Sequence, residues 1–186
     1  MTKKLIFPFV FLVMASCSNS DDSNGEIPTS ENTLTATVNG RSFASDEAFT
    51  EGNLFVNDFA TIFTISATLV ESNPGVAQVE SISLAISFQN EEDFSTGRSF
   101  SSSSEDESII SVVGQYIIGE STLSDANATI ASSAIENGEA FFRITALDTS
   151  SRTISGEFSF LALDESNGDE YRIADGRFNN VSYEIN

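Results

Sequence analysis

The chain has 186 residues, with 28 Asp and Glu against 8 Lys and Arg, a formal charge of −20 and no histidine. Such a surface repels phosphate backbones and anionic headgroups, which argues against nucleic acid as a partner. With no imidazole, no tryptophan and one cysteine, neither a Ser-His-Asp nor a Cys-His nucleophile can be assembled, and the usual zinc, copper and iron sites lack ligands.

The chain opens with Lys3 and Lys4, then ten mostly apolar residues, "LIFPFVFLVM", then Ala15, Ser16 and Cys17. A positive start, a short apolar run and small residues describe a secretory signal. As a helix the apolar run spans roughly 15 Å, about half of a ~30 Å hydrocarbon core, so a membrane span is the poorer reading. Met14-Ala15-Ser16-Cys17 resembles a bacterial lipobox, with Met where Leu is usual. That resemblance implies cleavage between Ser16 and Cys17. It also implies acylation of Cys17 on its sulfur and its nitrogen, so the lipid bilayer becomes a partner through that residue. Two or more acyl chains anchor stably, at about 0.8 kcal/mol per buried methylene. Both lysines leave with residues 1–16, so six arginines remain against the 28 acids.

Residues 17–32 form an acidic, Ser-rich tether without aromatics, too polar to offset the entropy of ordering it. Asp21 and Asp22 close behind Cys17 are similar to the acidic export signal of surface lipoproteins in the Bacteroidota. The localisation this implies is a lipid-anchored outer-membrane protein on the cell surface; the alternative is a linker facing the periplasm.

From Thr33 onward period-2 alternation dominates, and 33–186 is expected to be a single all-β domain. "TLTATV", Asn39-Gly40 and "RSFAS" read as a hairpin, since both central positions of that turn need positive φ. "FATIFTISATL" places Phe59, Phe63, Ile65, Ala67 and Leu69 on one face, and "VESISLAISF" does so with Ile82, Leu84, Ile86 and Phe88 after a Pro-Gly turn. An acidic loop with a short strand near Arg98 to Ser101 precedes "IISVVGQYII", in which Gly114 marks a bulge or a close packing point. "STLSDANATIASSAIENGE" allows a helical turn or a short strand at Thr129 to Ser132.

"EAFFRITALD", "TISGEFSFLALD", "EYRIAD" and "RFNNVSYEI" then read as an antiparallel meander, with Asp175-Gly176 as its last turn. In the second of these, Ile154, Phe158, Phe160 and Ala162 face in, opposite Glu157 and Ser159. About nine or ten strands make an antiparallel β-sandwich, with a flattened β-barrel as the alternative. The opening "TATVNGRSFAS" and the closing "FFRITALDTSSRTISGEFSFLALD" with "IADGRFNNVSY" resemble a family of small Bacteroidota (flavobacterial-type) lipoproteins of unknown function. The family brings no activity and no catalytic residues.

Candidate sites are few. The loop Asp164 to Glu170 gathers four carboxylates around Gly168, but the register of a calcium loop fails, because its fifth position falls on that glycine. The clusters Glu91 to Asp93 and Glu105 to Glu107 read as solvated acids. Phe141 and Phe142 are adjacent and must face opposite ways. Tyr116, Tyr171 and Tyr183 read as buried tyrosines with bonded hydroxyls, or as ligand platforms. Arg143, Arg152, Arg172 and Arg177 crowd the last strands, with cross-strand ion pairs as the first account and a patch for an anionic ligand as the second. No catalytic residue, cofactor or metal is expected. The expected function is a non-catalytic binding or accessory module with a protein or glycan partner. A barrel-like carrier of a small apolar or glycan ligand is the alternative, and a carboxylate-dyad hydrolase a more distant one.

Overall fold

The computed structural model describes residues 33–45, 49–121, 126–134 and 138–186. The signal, Ser16, Cys17 and the tether lie outside the described residues, as do 122–125 and 135–137 in the middle of the chain. The described residues form β1 (Thr33–Val38), β2 (Arg41–Ala44), β3 (Thr50–Val56), β4 (Thr61–Asn73), β5 (Val76–Phe88), β6 (Ser99–Ser101), β7 (Ile109–Ser121), β8 (Ala126–Ser132), β9 (Ala140–Asp148), β10 (Thr153–Leu163) and β11 (Glu170–Ile185). A short helical turn, Glu91–Asp93, tucks Phe94 inward.

These eleven strands make one sheet in the order β2-β1-β11-β3-β4-β5-β7-β8-β10-β9-β6, with β10 also pairing β11. The sheet folds over on itself as an all-β, sandwich-like body, in keeping with the alternation. β3, β4, β5, β7 and β8 form one layer; β2, β1, β11, β10, β9 and β6 form the other. Rings from the two layers meet between them: Phe63 of β4 lies 5.9 Å from Phe142 of β9, and Phe88 of β5 lies 5.3 Å from Phe100 of β6. The layers join where the end of β11 meets β3 and where Leu163 pairs with Ser132. The pairings are antiparallel except β11 with β3, which run parallel over Tyr183–Ile185 and Gly52–Leu54. β1 reaches only as far as Asn179, so the last residues of β11 are open to a second neighbour.

The hairpins follow their turn residues. Asn39 and Gly40 have φ of 49° and 81°, and Gly75 closes the β4–β5 hairpin at 87°. The Asn39 amide clamps β11 as well, donating to the Glu170 carbonyl and accepting from the Arg172 N–H.

Two expectations need correction. Phe59 is 90% exposed, because the Asn57 Oδ1 accepts the N–H groups of Phe59 and Ala60 and holds both in a turn. Thr61 takes the inward place at the start of β4. Asp175-Gly176 does not reverse the chain: Glu170–Ile185 is one strand. Asp175 (φ 51°) inserts a bulge instead, seen as a register shift against both β1 and β10.

Glycines carry the tightest packing. A Cβ built on Gly156 or Gly176 would lie 2.2 or 2.5 Å from ring atoms of Phe178 or Phe158, which are their direct cross-strand partners. The exchange is reciprocal: each of β10 and β11 offers a bare backbone to the other's ring, as edge glycines do under aromatic side chains. Gly114 of β7 receives Phe160 in the same way, at 2.3 Å, which settles that residue as a close packing point. Gly156→Ala should cost about 1–3 kcal/mol in chemical denaturation, because the ring and the Arg143 carbonyl both obstruct the methyl. Phe59→Ser in the same assay should change stability by less than about 0.5 kcal/mol.

Candidate binding face

The outer face of the β9–β10–β11 layer is built by strand phase. Arg143 pairs with Ser99 on one side and Glu157 on the other, Glu157 pairs with Arg177, and Arg177 with Thr35. This row therefore crosses five strands on one surface, with Glu157 flanked by two guanidiniums.

β11 supplies a third arginine through its bulge. Residues five apart on a regular strand face opposite ways, so Arg172 and Arg177 would be separated by the sheet. The extra residue at Asp175 shifts the phase. Buried positions fall at 173, 176, 178, 181 and 183, with a second irregularity at Asn180 (φ 50°), and both arginines emerge on the solvent side. Bulges also sharpen bend and twist, and are common beside functional sites. Here the surface curves into an open concavity of about 670 Å³ lined by Arg172, Arg177, Glu157, Asp175, Phe141 and Leu161, among others. Phe141 is 36% exposed while Phe142 is fully buried, as their adjacency requires.

The expected cross-strand ion pairs are not formed. Among the described residues no carboxylate lies within 4.0 Å of the Arg143, Arg152, Arg172 or Arg177 guanidinium; the ion pairs fall on Arg41 and Arg98. Exposed arginines opposite a glutamate gain little from a fixed geometry and lose side-chain entropy by it. Arg152 lies apart, in the β9–β10 turn, where its carbonyl accepts the Tyr183 N–H.

The acidic clusters turn out to be structural. Arg98 joins two of them, reaching Asp106 Oδ2 at 2.7 Å and Asp93 Oδ1 at 3.3 Å, with its guanidinium 5.7 Å from the centre of the Phe100 ring. Hydrogen bonds from Ser108, with help from Arg98, hold the Asp106 carboxyl down at about 2. In the β10–β11 turn the buried Asp164 accepts from the N–H and Oγ of Ser166 at 2.8 and 2.6 Å, closing a tight loop. Its Oδ2 is buried without a hydrogen-bond partner. No group of three or more acids able to hold a metal gathers among the described residues.

Tyr116 is buried with its hydroxyl bonded, donating to Glu80 at 3.1 Å and accepting from Arg41 at 3.3 Å, and its ring lies 4.9 Å from that of Tyr171. Arg41, on β2, thereby ties one layer to β5 and β7 of the other. Its bond to Glu80, at 2.8 Å, raises the guanidinium pKa further.

No family model, curated protein or solved structure matches this chain. The sequence had pointed to Arg143, Arg172, Arg177, Glu157 and Ser159 of this face. It missed Asp175, Phe141 and Leu161 as lining residues. For Phe141 the alternation of "EAFFRI" carried the signal; for Asp175 the turn-like Asp-Gly pair concealed it.

Burial, and then the Glu80 charge, push the Tyr116 hydroxyl up to about 12. A phenol raised in the folded state from about 10 contributes stability that is intact below pH 10 and is lost as pH climbs through 12. Melting temperature should therefore fall across that window, and Tyr116→Phe should flatten the fall in a pH series.

Proposed function

We propose that the chain is a lipoprotein of the outer membrane surface, held by acylated Cys17, whose β domain is a non-catalytic binding module working through the concave face of β9–β11. The observation that carries the binding reading is the bulge at Asp175, which places Arg172 and Arg177 together in an open concavity beside Phe141 and Leu161. A concave surface where several polar groups converge beside a few apolar side chains is a natural place for a small-ligand site. The anchor reading rests on the lipobox-like residues before Cys17 and on the acidic tether behind it. Among the described residues no helix is long and apolar enough to cross a membrane.

A carrier would need an apolar chamber between the layers. The rings of Phe63, Phe94, Phe88, Phe100, Phe142 and Phe178 stand there in an unbroken series of neighbours, with centroids 5.1 to 6.3 Å apart. The external concavity is the better place for a ligand.

Cys17→Ser should shift the protein from the membrane to the soluble fraction and abolish incorporation of labelled palmitate. Protease applied to intact cells should remove the folded domain of the unaltered protein. A domain untouched by the protease while the protein fractionates with the outer membrane would overturn the surface assignment.

A further inference from the structure

Arginine pairing divides this molecule in two. Arg41 and Arg98 are held by carboxylates at 2.8 and 2.7 Å. Arg172 and Arg177 line a concavity and engage no carboxylate within 4.0 Å among the described residues, although Glu157 stands directly across from Arg177 and the chain has 28 acids. Guanidiniums left in this state keep their planar forks for an incoming anion, and a carboxylate fits such a fork with two hydrogen bonds.

The anion must carry few charges. A formal charge of −20 opposes any polyanion, and Glu139, Glu157 and Asp175 line the same concavity as the arginines. Nucleic acid, anionic bilayers and polyphosphate are disfavoured on that ground, whereas one carboxylate on a polar body is not.

The rest of the lining describes that body. Ser101, Ser103 and Ser159 bring hydroxyls, and the three carboxylates are acceptors that suit a ligand rich in O–H groups. Phe141 and Leu161 offer a modest apolar surface, enough for one C–H face of a ring. A fatty acid would need an enclosed apolar cavity, and this one is open. At about 670 Å³ the concavity has room for a short oligosaccharide.

We infer that the groove takes a carboxylate-bearing sugar, a uronic acid unit of a glycan, with Arg172 and Arg177 on the carboxylate and Phe141 against the ring. This rests on the reading of the β9–β11 face as a binding site. The register supplies the means: without the bulge at Asp175 the two arginines would sit on opposite faces of the sheet.

The experiment is calorimetric titration of the full-length protein in detergent with a galactotriose in which one unit is galacturonate, with neutral galactotriose, and with a galactotriose carrying one sulfate. The galacturonate-bearing sugar should bind and neutral galactotriose should not. Affinity should fall tenfold or more in R172A/R177A and several-fold in R177K, which keeps the charge but loses the fork. Unchanged melting temperatures in both variants would show that the fold is intact, as expected for exposed side chains outside ion pairs. Preference for the sulfated sugar, or equal binding of galactotriose, would overturn the carboxylate assignment while the binding face stands, provided F141A weakens that binding. Binding of none of the three, or binding indifferent to all these variants, would overturn the inference; in the second case the face itself is the wrong place.

Discussion

Large rings laid against bare backbone set how closely β10 packs on β11 within one layer and on β7 across to the other. Phe158 and Phe178 each rest on a glycine of the paired strand, and Phe160 on Gly114 of the opposite layer, so close that a single methyl group would collide with ring carbons. Aromatic residues bring much apolar area at little rotamer cost, but they demand room that a regular sheet does not offer. Gly114, Gly156 and Gly176 give that room at the positions where the rings fall, and the inner Phe series then fills the interior. Smaller core residues would not require these glycines, and the glycines without the rings would only weaken their strands.

That demand and the binding face are linked through β11. The strand must deliver Ile173, Gly176, Phe178, Val181 and Tyr183 to the core, an uneven series that strict alternation cannot produce. Two left-handed residues, Asp175 and Asn180, absorb the mismatch. Each phase shift that repairs the inside also reassigns the outside. Arg172 and Arg177 share the solvent face as a result, on a surface curved by the same irregularity. Core packing and the placement of the arginines are two faces of one backbone feature.

Period-2 alternation with β-branched and aromatic residues made the all-β class, the first hairpin, the Pro-Gly turn and the inward sets of β5 and β10 readable. Buried antiparallel strands impose that pattern directly. The reading failed where local chemistry serves two ends. Asp-Gly favours positive φ whether the chain turns or bulges, and only the partner strands decide which. Phe59 follows the alternation of β4 by position, but Asn57 captures its N–H before the strand begins. The parallel contact of β3 with β11 joins segments 131 positions apart in its first pair, Tyr183 with Gly52, and no local pattern announces such a neighbour. The arginines were visible as a cluster; their lack of carboxylate partners was not, since it depends on where long side chains settle.

β11 also orders events in time. It follows all the other strands among the described residues, yet β1 pairs along its first half and β3 along its end. Both early strands must wait, with their inward faces uncovered, until β11 has been made. Contacts across so much intervening chain form slowly, because the closure entropy comes before the reward. Loss of Tyr183–Ile185 would leave Gly52–Leu54 of β3 without their β11 partners, while β1 kept its own along the first half of that strand.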